Sequence, residues 1–88
     1  MDVTIRLNLP LQRLAGNQEL IRVSGSTVKQ CLQDLIRKVP GSESHVFNKD
    51  GSSALLILLN NAPLPSQNLN YPLSNGDELW LLSMVGGG

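Results

Sequence analysis

A single amphipathic helix, predicted over residues 27–38, is the feature that most constrains the fold of this chain. Apolar residues recur there at helical spacing and form one stripe. The stripe consists of Val28, Cys31, Leu32, Leu35 and Ile36. Thr27 and Gln30 have the spacing of a capping box at the helix start, and Pro40 with Gly41 ends the helix. Because the helix has one apolar stripe, it covers only one face of any sheet that the remaining residues form.

Four segments outside the helix have strand patterns, with apolar and polar residues alternating or with a short continuous apolar run. The predicted strands are residues 3–9, 19–24, 54–59 and 79–85. Pro10 stops the first strand, and residues 11–17 are expected to be a loop. The polar residues 41–52 and the proline-containing residues 61–74 are expected to be irregular connections, the second held by Leu64, Leu69 and Leu73.

The order strand, strand, helix, strand, strand predicts an α+β fold of the ubiquitin-like β-grasp type. We expect a mixed four- to five-stranded sheet with one main helix packed on one face. The first and last strands should lie side by side at the sheet centre. Residues 1–85 form the predicted domain, and residues 86–88 form a flexible C-terminal glycine tail.

Composition excludes several functional classes. The chain has 88 residues, enough for one domain, and seven basic residues balance seven acidic ones. Nucleic-acid binding normally needs a basic excess, and no apolar run is long enough to span a membrane, so neither partner is expected. The N-terminus lacks the pattern of a signal peptide, and a single cysteine forms no internal disulfide. We expect a cytoplasmic protein.

Internal catalytic or metal sites are not predicted. Cys31 lies on the apolar stripe of the helix and is interpreted as a small buried hydrophobic residue. His45 is the only histidine and has no second metal-ligating residue type clustered near it. No serine–histidine–aspartate order, phosphate-binding loop or metal-ligand spacing is present. The chemistry is therefore expected at the surface, at a terminus or in a partner.

The glycine run Gly86-Gly87-Gly88 has a physical use. A chain without Cβ atoms adopts almost any backbone angle and fits a narrow channel. Three extended residues reach about 10 Å. A terminal carboxylate can thus enter the active site of another protein while the folded domain stays outside.

The chain resembles the ubiquitin-like sulfur carriers, which include the small subunit of molybdopterin synthase and the thiamine-pathway carrier. The resemblance extends over nearly the whole chain and is carried by five segments in order. They are Leu14-Ala15-Gly16, Gly25-Ser26-Thr27-Val28, Leu59-Asn60-Asn61, Leu73-Ser74-Asn75-Gly76-Asp77-Glu78 and the terminal Gly87-Gly88. Two positions depart from the family pattern: Gly86 stands where alanine is frequent, and Met84 stands where a small residue or proline is frequent.

The resemblance implies that the protein is a carrier and not an enzyme. An adenylating enzyme similar to ubiquitin-activating enzyme would activate the Gly88 carboxylate, next to Gly87, and a sulfur donor would then leave a thiocarboxylate. The acceptor would be an enzyme such as the large subunit of molybdopterin synthase. No bound cofactor or metal is expected in the chain itself, because the activating partner uses the Mg-ATP.

Strand parity predicts where such a partner docks. If Leu79 and Leu81 face the core, Trp80 and Leu82 face the opposite side of the sheet. The same argument places Leu56 and Leu58 beside them, with Ile57 and Leu59 inward. An exposed apolar patch of this kind is typical of an interaction surface. The predicted partner-binding residues are Leu56, Leu58, Trp80, Leu82, Met84, Val85 and Gly86.

Several functions remain open at this point. Molybdopterin synthesis is favoured by the long 41–52 segment and by Leu59-Asn60-Asn61, and thiamine and cysteine or methionine synthesis are alternatives. The chain is also compatible with a protein modifier that is joined to lysines through Gly88. A third possibility is a non-catalytic β-grasp binding module that uses only the Trp80 face. An iron–sulfur ferredoxin of the same fold is excluded, since one cysteine cannot hold a cluster.

Overall fold

A five-stranded mixed sheet is the framework of residues 1–84, the part of the chain that the computed structural model describes. Its strands are β1 (Asp2–Arg6), β2 (Leu20–Ser24), β3 (Leu56–Leu59), β4 (Ala62–Pro63) and β5 (Glu78–Leu82). The strand order is β2-β1-β5-β3-β4, with β1 parallel to β5 and every other neighbour antiparallel. The predicted fold class is confirmed, including the central position of the first and last strands.

The predicted glycine tail, residues 86–88, and the domain boundary at Val85 lie outside the described residues. Within residues 1–84, no helix is both long enough and apolar enough to cross a membrane.

The main helix, α2 (Val28–Lys38), begins where the capping residues predict. The Thr27 hydroxyl accepts a hydrogen bond from the backbone N–H of Gln30, at 3.2 Å. The Gln30 side chain accepts from the backbone N–H of Ser26, one residue earlier than in a standard capping box. The first bond satisfies an N–H group that the first helical turn leaves without a partner, and the second binds the backbone just before the helix.

The core lies between α2 and one face of the sheet. Alternate residues of the strands point into it, and it is closed from the other side by the apolar stripe of α2. Its fully buried members include Ile5, Ile57, Leu79, Leu32 and Leu35. Burial of a leucine or isoleucine side chain of this kind contributes about 1.5–3 kcal/mol.

The predicted loop at residues 11–17 is wrong in its first part, because the chain forms a second helix there, α1 (Leu9–Leu14). The Asn8 side chain caps this helix by accepting a hydrogen bond from the backbone N–H of Leu11. Pro10 occupies the first turn, where its missing N–H is tolerated. Pro10 therefore follows the end of β1 and helps to start a helix.

Two further elements lie in segments that were expected to be irregular. A short helix, α3 (Glu43–Val46), falls in the 41–52 segment and buries Val46. The 61–74 segment contains β4 and a 3₁₀ turn at Pro65–Gln67. The β3–β4 turn consists of Asn60 and Asn61, both with positive φ, as the tightest hairpin turns require. The 61–74 segment is anchored as predicted, with two leucines buried and a third packed against the core: Leu64, Leu73 and Leu69.

Gly25 is required by the close approach of the chain to α2. A Cβ atom at this position would lie 2.8 Å from the backbone nitrogen of Cys31 and 3.0 Å from its sulfur. We predict that Gly25→Ala lowers the free energy of unfolding by about 1–3 kcal/mol, the usual cost of forcing an extra methyl group into a packed site. Urea denaturation measures this loss.

The same measurement on Gly25→Ala/Cys31→Ala distinguishes backbone crowding from side-chain crowding. Because the nearest atom belongs to the backbone, removal of the sulfur should not restore stability. A double variant that is more stable than Gly25→Ala alone would show that the sulfur, and not the backbone of α2, causes the clash.

Candidate functional site

The C-terminal tail starts from the centre of the sheet. Strand β5 ends at Leu82, and the side chain of the next residue, Ser83, accepts a hydrogen bond from the Asn8 side chain at 2.9 Å. Since β1 and β5 are parallel, both leave the sheet at the same end. Met84 is exposed. The predicted site residues Val85, Gly86, Gly87 and Gly88 lie outside the described residues.

The predicted apolar patch lies on one face of the sheet. In the pairing of β3 with β5, Leu56 is opposite Leu82 and Leu58 is opposite Trp80. The intervening pair, Ile57 and Leu81, is buried on the side of α2. Leu56 is 38% exposed, and the other three patch residues are partly buried. The predicted strand parity is confirmed, while the role of the patch in partner binding stays a prediction.

The 61–74 connection does not cover this face. Its backbone carbonyls at Leu69 and Tyr71 accept hydrogen bonds from the first N–H groups of α2, on the opposite side of the sheet. The Gln67 side chain bonds both the N–H and the carbonyl of Ile57, along the outer edge of β3. The connection therefore closes the core and the sheet edge and leaves the four-residue patch accessible.

Strand register adds residues to the patch that sequence reasoning missed. We call the sheet face that α2 does not cover the open face. One line of paired residues crosses all five strands on this face. It runs through Leu20, Arg6, Trp80, Leu58 and Pro63. Leu20 is 44% exposed and pairs with Arg6, so it extends the apolar surface onto β2. The alternation of residues in β1 and β2 contained the signal for these additional patch residues. Ile5 and Val23 are buried, so the residues directly before and after each of them face away from the core.

Trp80 is held in place by two polar neighbours. The Arg6 guanidinium lies over its ring, 4.5 Å from the ring centroid. The indole N–H donates a hydrogen bond to the Glu78 carboxylate, which belongs to the same face. A cation over an indole ring is an attractive arrangement, so the ring is oriented before any partner arrives.

Cys31 is fully buried on α2. Burial raises the pKa of its thiol to about 11, and the nearby Asp34 carboxylate acts in the same direction. The thiol is therefore protonated at neutral pH and is a poor nucleophile. His45 lies exposed on α3, and residues 1–84 contain no group of three histidine, cysteine or acidic residues that could hold a metal ion.

Asp34 has a structural role. Its carboxylate accepts a hydrogen bond from the backbone N–H of Ser24 on β2, and this bond lowers its pKa. Arg37 and Lys38 form ion pairs with the same carboxylate and act in the same direction. The cluster joins α2 to the outer strand and lies away from the open face.

Comparison with known proteins gives a family and a set of relatives. The model of the ThiS family matches residues 5–88. SAMP1 from Haloferax volcanii is 30% identical, with all of both chains covered and a TM-score of 0.82. A chain of the complex of subunits 1 and 2 of the molybdopterin-converting factor from Helicobacter pylori is 27% identical, again with all of both chains covered and a TM-score of 0.63.

A third relative shows the fold alone. A chain of the BexX/CysO complex of Amycolatopsis orientalis is 20% identical, with 98% of this chain and 99% of that chain covered and a TM-score of 0.83. No curated protein sequence matches the chain.

The raised pKa of Cys31 makes stability depend on pH. Between about pH 9 and pH 11 the unfolded chain loses the thiol proton and the folded chain retains it, so folding becomes less favourable as pH rises. We predict that wild type loses about 1–2 kcal/mol more stability than Cys31→Ala between pH 8 and pH 10.5. Other groups that titrate in this range are shared by both proteins and cancel. Equal losses in chemical denaturation would show that the thiol ionises freely in the folded chain.

Proposed function

This chain belongs to the ThiS family, and from that membership we propose that it is a cytoplasmic sulfur carrier whose reacting group is the carboxyl of Gly88. The membership agrees with the predicted resemblance to ubiquitin-like sulfur carriers. The observation that carries the proposal is that the family match extends through Gly88. The relatives are small carrier or modifier proteins, which agrees with a carrier role.

The proposed chemistry has two steps. A carboxylate is a poor electrophile until one oxygen becomes part of a good leaving group. An adenylating enzyme therefore joins the Gly88 carboxylate to the α-phosphate of its own Mg-ATP and releases pyrophosphate. A hydrosulfide ion then attacks the acyl carbon, AMP leaves, and a thiocarboxylate remains at Gly88. The chain supplies the carboxylate and its position, and the partner supplies the nucleotide and the catalytic groups.

The geometry of the open face supports a mechanism in which the chain supplies the carboxylate and a bound partner supplies the catalytic groups. Trp80 and Leu82 lie on the strand that leads into the tail, with Leu56 and Leu58 directly beside them. The six residues after Leu82 span at most about 20 Å when extended. A partner that binds the patch is thus within reach of the Gly88 carboxyl. We propose that Leu56, Leu58, Trp80 and Leu82, with Met84, Val85 and Gly86, form the docking surface for the adenylating enzyme and the sulfur acceptor.

Within this function we favour synthesis of molybdopterin. The relative from Helicobacter pylori, which is matched over its full length, was solved as a complex of two subunits of the molybdopterin-converting factor. The corresponding acceptor here would be a molybdopterin synthase large subunit. Thiamine and cysteine or methionine synthesis remain alternatives.

A second candidate function is protein modification. The Haloferax volcanii relative at 30% identity is SAMP1, a name that the solved structure from Methanosarcina acetivorans spells out as small archaeal modifier protein 1. A modifier shares the adenylation step but ends in an isopeptide bond between Gly88 and a lysine. Peptide mass spectrometry of cell extracts separates the two functions by the presence or absence of such lysine adducts.

We predict that removal of Gly88, or addition of residues after it, abolishes adenylation and leaves folding unchanged. The reacting carboxylate must be terminal and must reach a fixed depth in the partner. ATP–pyrophosphate exchange with the adenylating enzyme measures the reaction, and thermal melting provides the folding control. Undiminished exchange by the extended chain would contradict the carrier proposal.

We predict that Leu82→Glu weakens binding to the adenylating enzyme at least about thirtyfold, which corresponds to about 2 kcal/mol at an interface hot spot. The new charge stays hydrated in the free protein, but in the complex it is buried without a counter-ion. Calorimetric titration measures the affinity.

Leu81→Glu is the matched control, one position along the same strand. Leu81 is buried, so its replacement by a charged residue should unfold the domain. Circular dichroism of both variants tests this contrast. A folded Leu82→Glu protein with wild-type affinity would show that the patch does not bind the enzyme.

A further inference from the structure

Arg6 is a cation set among apolar side chains on the open sheet face. On β2 its paired neighbour is the exposed Leu20, and on β5 its paired neighbour is Trp80. The next residues along that line are Leu58 and Pro63. Arginine is the charged residue that interfaces favour, since it is enriched there together with aromatic residues while lysine, aspartate and glutamate are depleted.

The Arg6 side chain is fixed but lacks a polar partner among the described residues. Its guanidinium lies 4.5 Å from the centroid of the Trp80 ring. Its Nε is buried and has no hydrogen-bond partner within residues 1–84. The two ion pairs found within residues 1–84 both involve Asp34, which lies on the far side of the sheet.

The neighbouring arginine gives a contrast. Arg22 lies on the same face and pairs with Thr4, which precedes Arg6 by two residues on β1. It is exposed on the outer strand β2. Its charge can stay hydrated when the central patch is covered, whereas the guanidinium of Arg6 loses its remaining water.

We propose that Arg6 is the charged anchor of this face and that it binds a side-chain carboxylate of the adenylating enzyme. This proposal rests on the function proposed above and specifies the partner's chemistry. The planar guanidinium presents its N–H donors in a fork that matches a carboxylate, and stacking on Trp80 holds that fork in one orientation. The surface of the adenylating enzyme that contacts this face is therefore apolar, with an aspartate or glutamate opposite Arg6.

Two features favour this occupant over a second copy of the chain. Burial of an unpaired charge is strongly unfavourable, so the partner has to supply the opposite charge. In a symmetric dimer through this face, each Arg6 meets the same face, on which the Glu78 carboxylate already accepts the indole N–H of Trp80. An acidic residue from a different protein satisfies Arg6 without breaking that bond.

The test is calorimetric titration of the purified adenylating enzyme from the same organism with wild-type chain and four single variants, at low and high salt. Arg6→Met keeps an apolar stem over Trp80 and removes the charge. Its affinity should fall about thirtyfold or more, because the enzyme carboxylate is left buried without a partner. Arg6→Lys should be intermediate, since lysine retains the charge and loses the fork. Arg6→Glu should bind most weakly.

Arg22→Met is the matched control and should change the affinity less than about threefold, as is usual for a charge at the rim. Because salt screens a buried ion pair only weakly, the loss of affinity in Arg6→Met should be nearly the same at low and high salt. Thermal melting of the free variants separates effects on binding from effects on folding. If Arg6→Met does not fold, the affinity of Arg6→Lys is compared with that of Arg22→Met instead.

Equal affinities for Arg6→Met and Arg22→Met would overturn the proposal. If Leu82→Glu abolishes binding while Arg6→Met preserves it, the carrier function stands and the anchor is wrong. If the wild-type chain itself does not bind the enzyme, both proposals fail. Sedimentation that shows a dimer dependent on Arg6 would assign the face to a second copy and overturn the assignment to the enzyme.

Discussion

The parallel pairing of β1 with β5 determines most of what this molecule can do. It brings the first and last long strands together at the sheet centre, where Ile5 and Leu79 are paired and fully buried. The same register sets Arg6 beside Trp80 on the opposite face. Because the strands run in one direction, the route to the C-terminus leaves the sheet beside Asn8 and the start of α1. The core, the open face and the base of the tail all follow from this pair of strands.

A single covering helix leaves the second sheet face exposed to solvent. The edges of the sheet are protected against pairing with strands of other molecules. The outer strand β4 has only two residues and contains Pro63, and β2 presents the charged Arg22. Short, proline-containing or charged edges discourage pairing with other strands. Association through the face is therefore favoured over association through the edges. This is the arrangement that a carrier needs if it binds more than one partner in turn.

The sequence predicted those elements whose signals are local. The stripe from Val28 to Ile36 with the Thr27 cap defined α2, and the alternation around Trp80 defined the open face. Helix α1 is not predicted when Pro10 is taken only as the end of a strand, although Asn8 and Pro10 together are typical of a helix start. Arg6 was missed for a different reason. Its contact with Trp80 joins the two ends of the chain, and only the β1–β5 register shows that they are neighbours.

If Gly88 carries sulfur, as we propose, the mass of the protein changes when the carboxyl becomes a thiocarboxylate. The untagged chain is incubated with the adenylating enzyme, Mg-ATP and a sulfide donor, and its intact mass and C-terminal peptide are then measured. We expect a mass increase equal to the replacement of one oxygen by one sulfur, located at Gly88 and absent without ATP. The same increase located at Cys31, or an unchanged mass while the enzyme consumes ATP in the presence of the chain, would contradict this proposal.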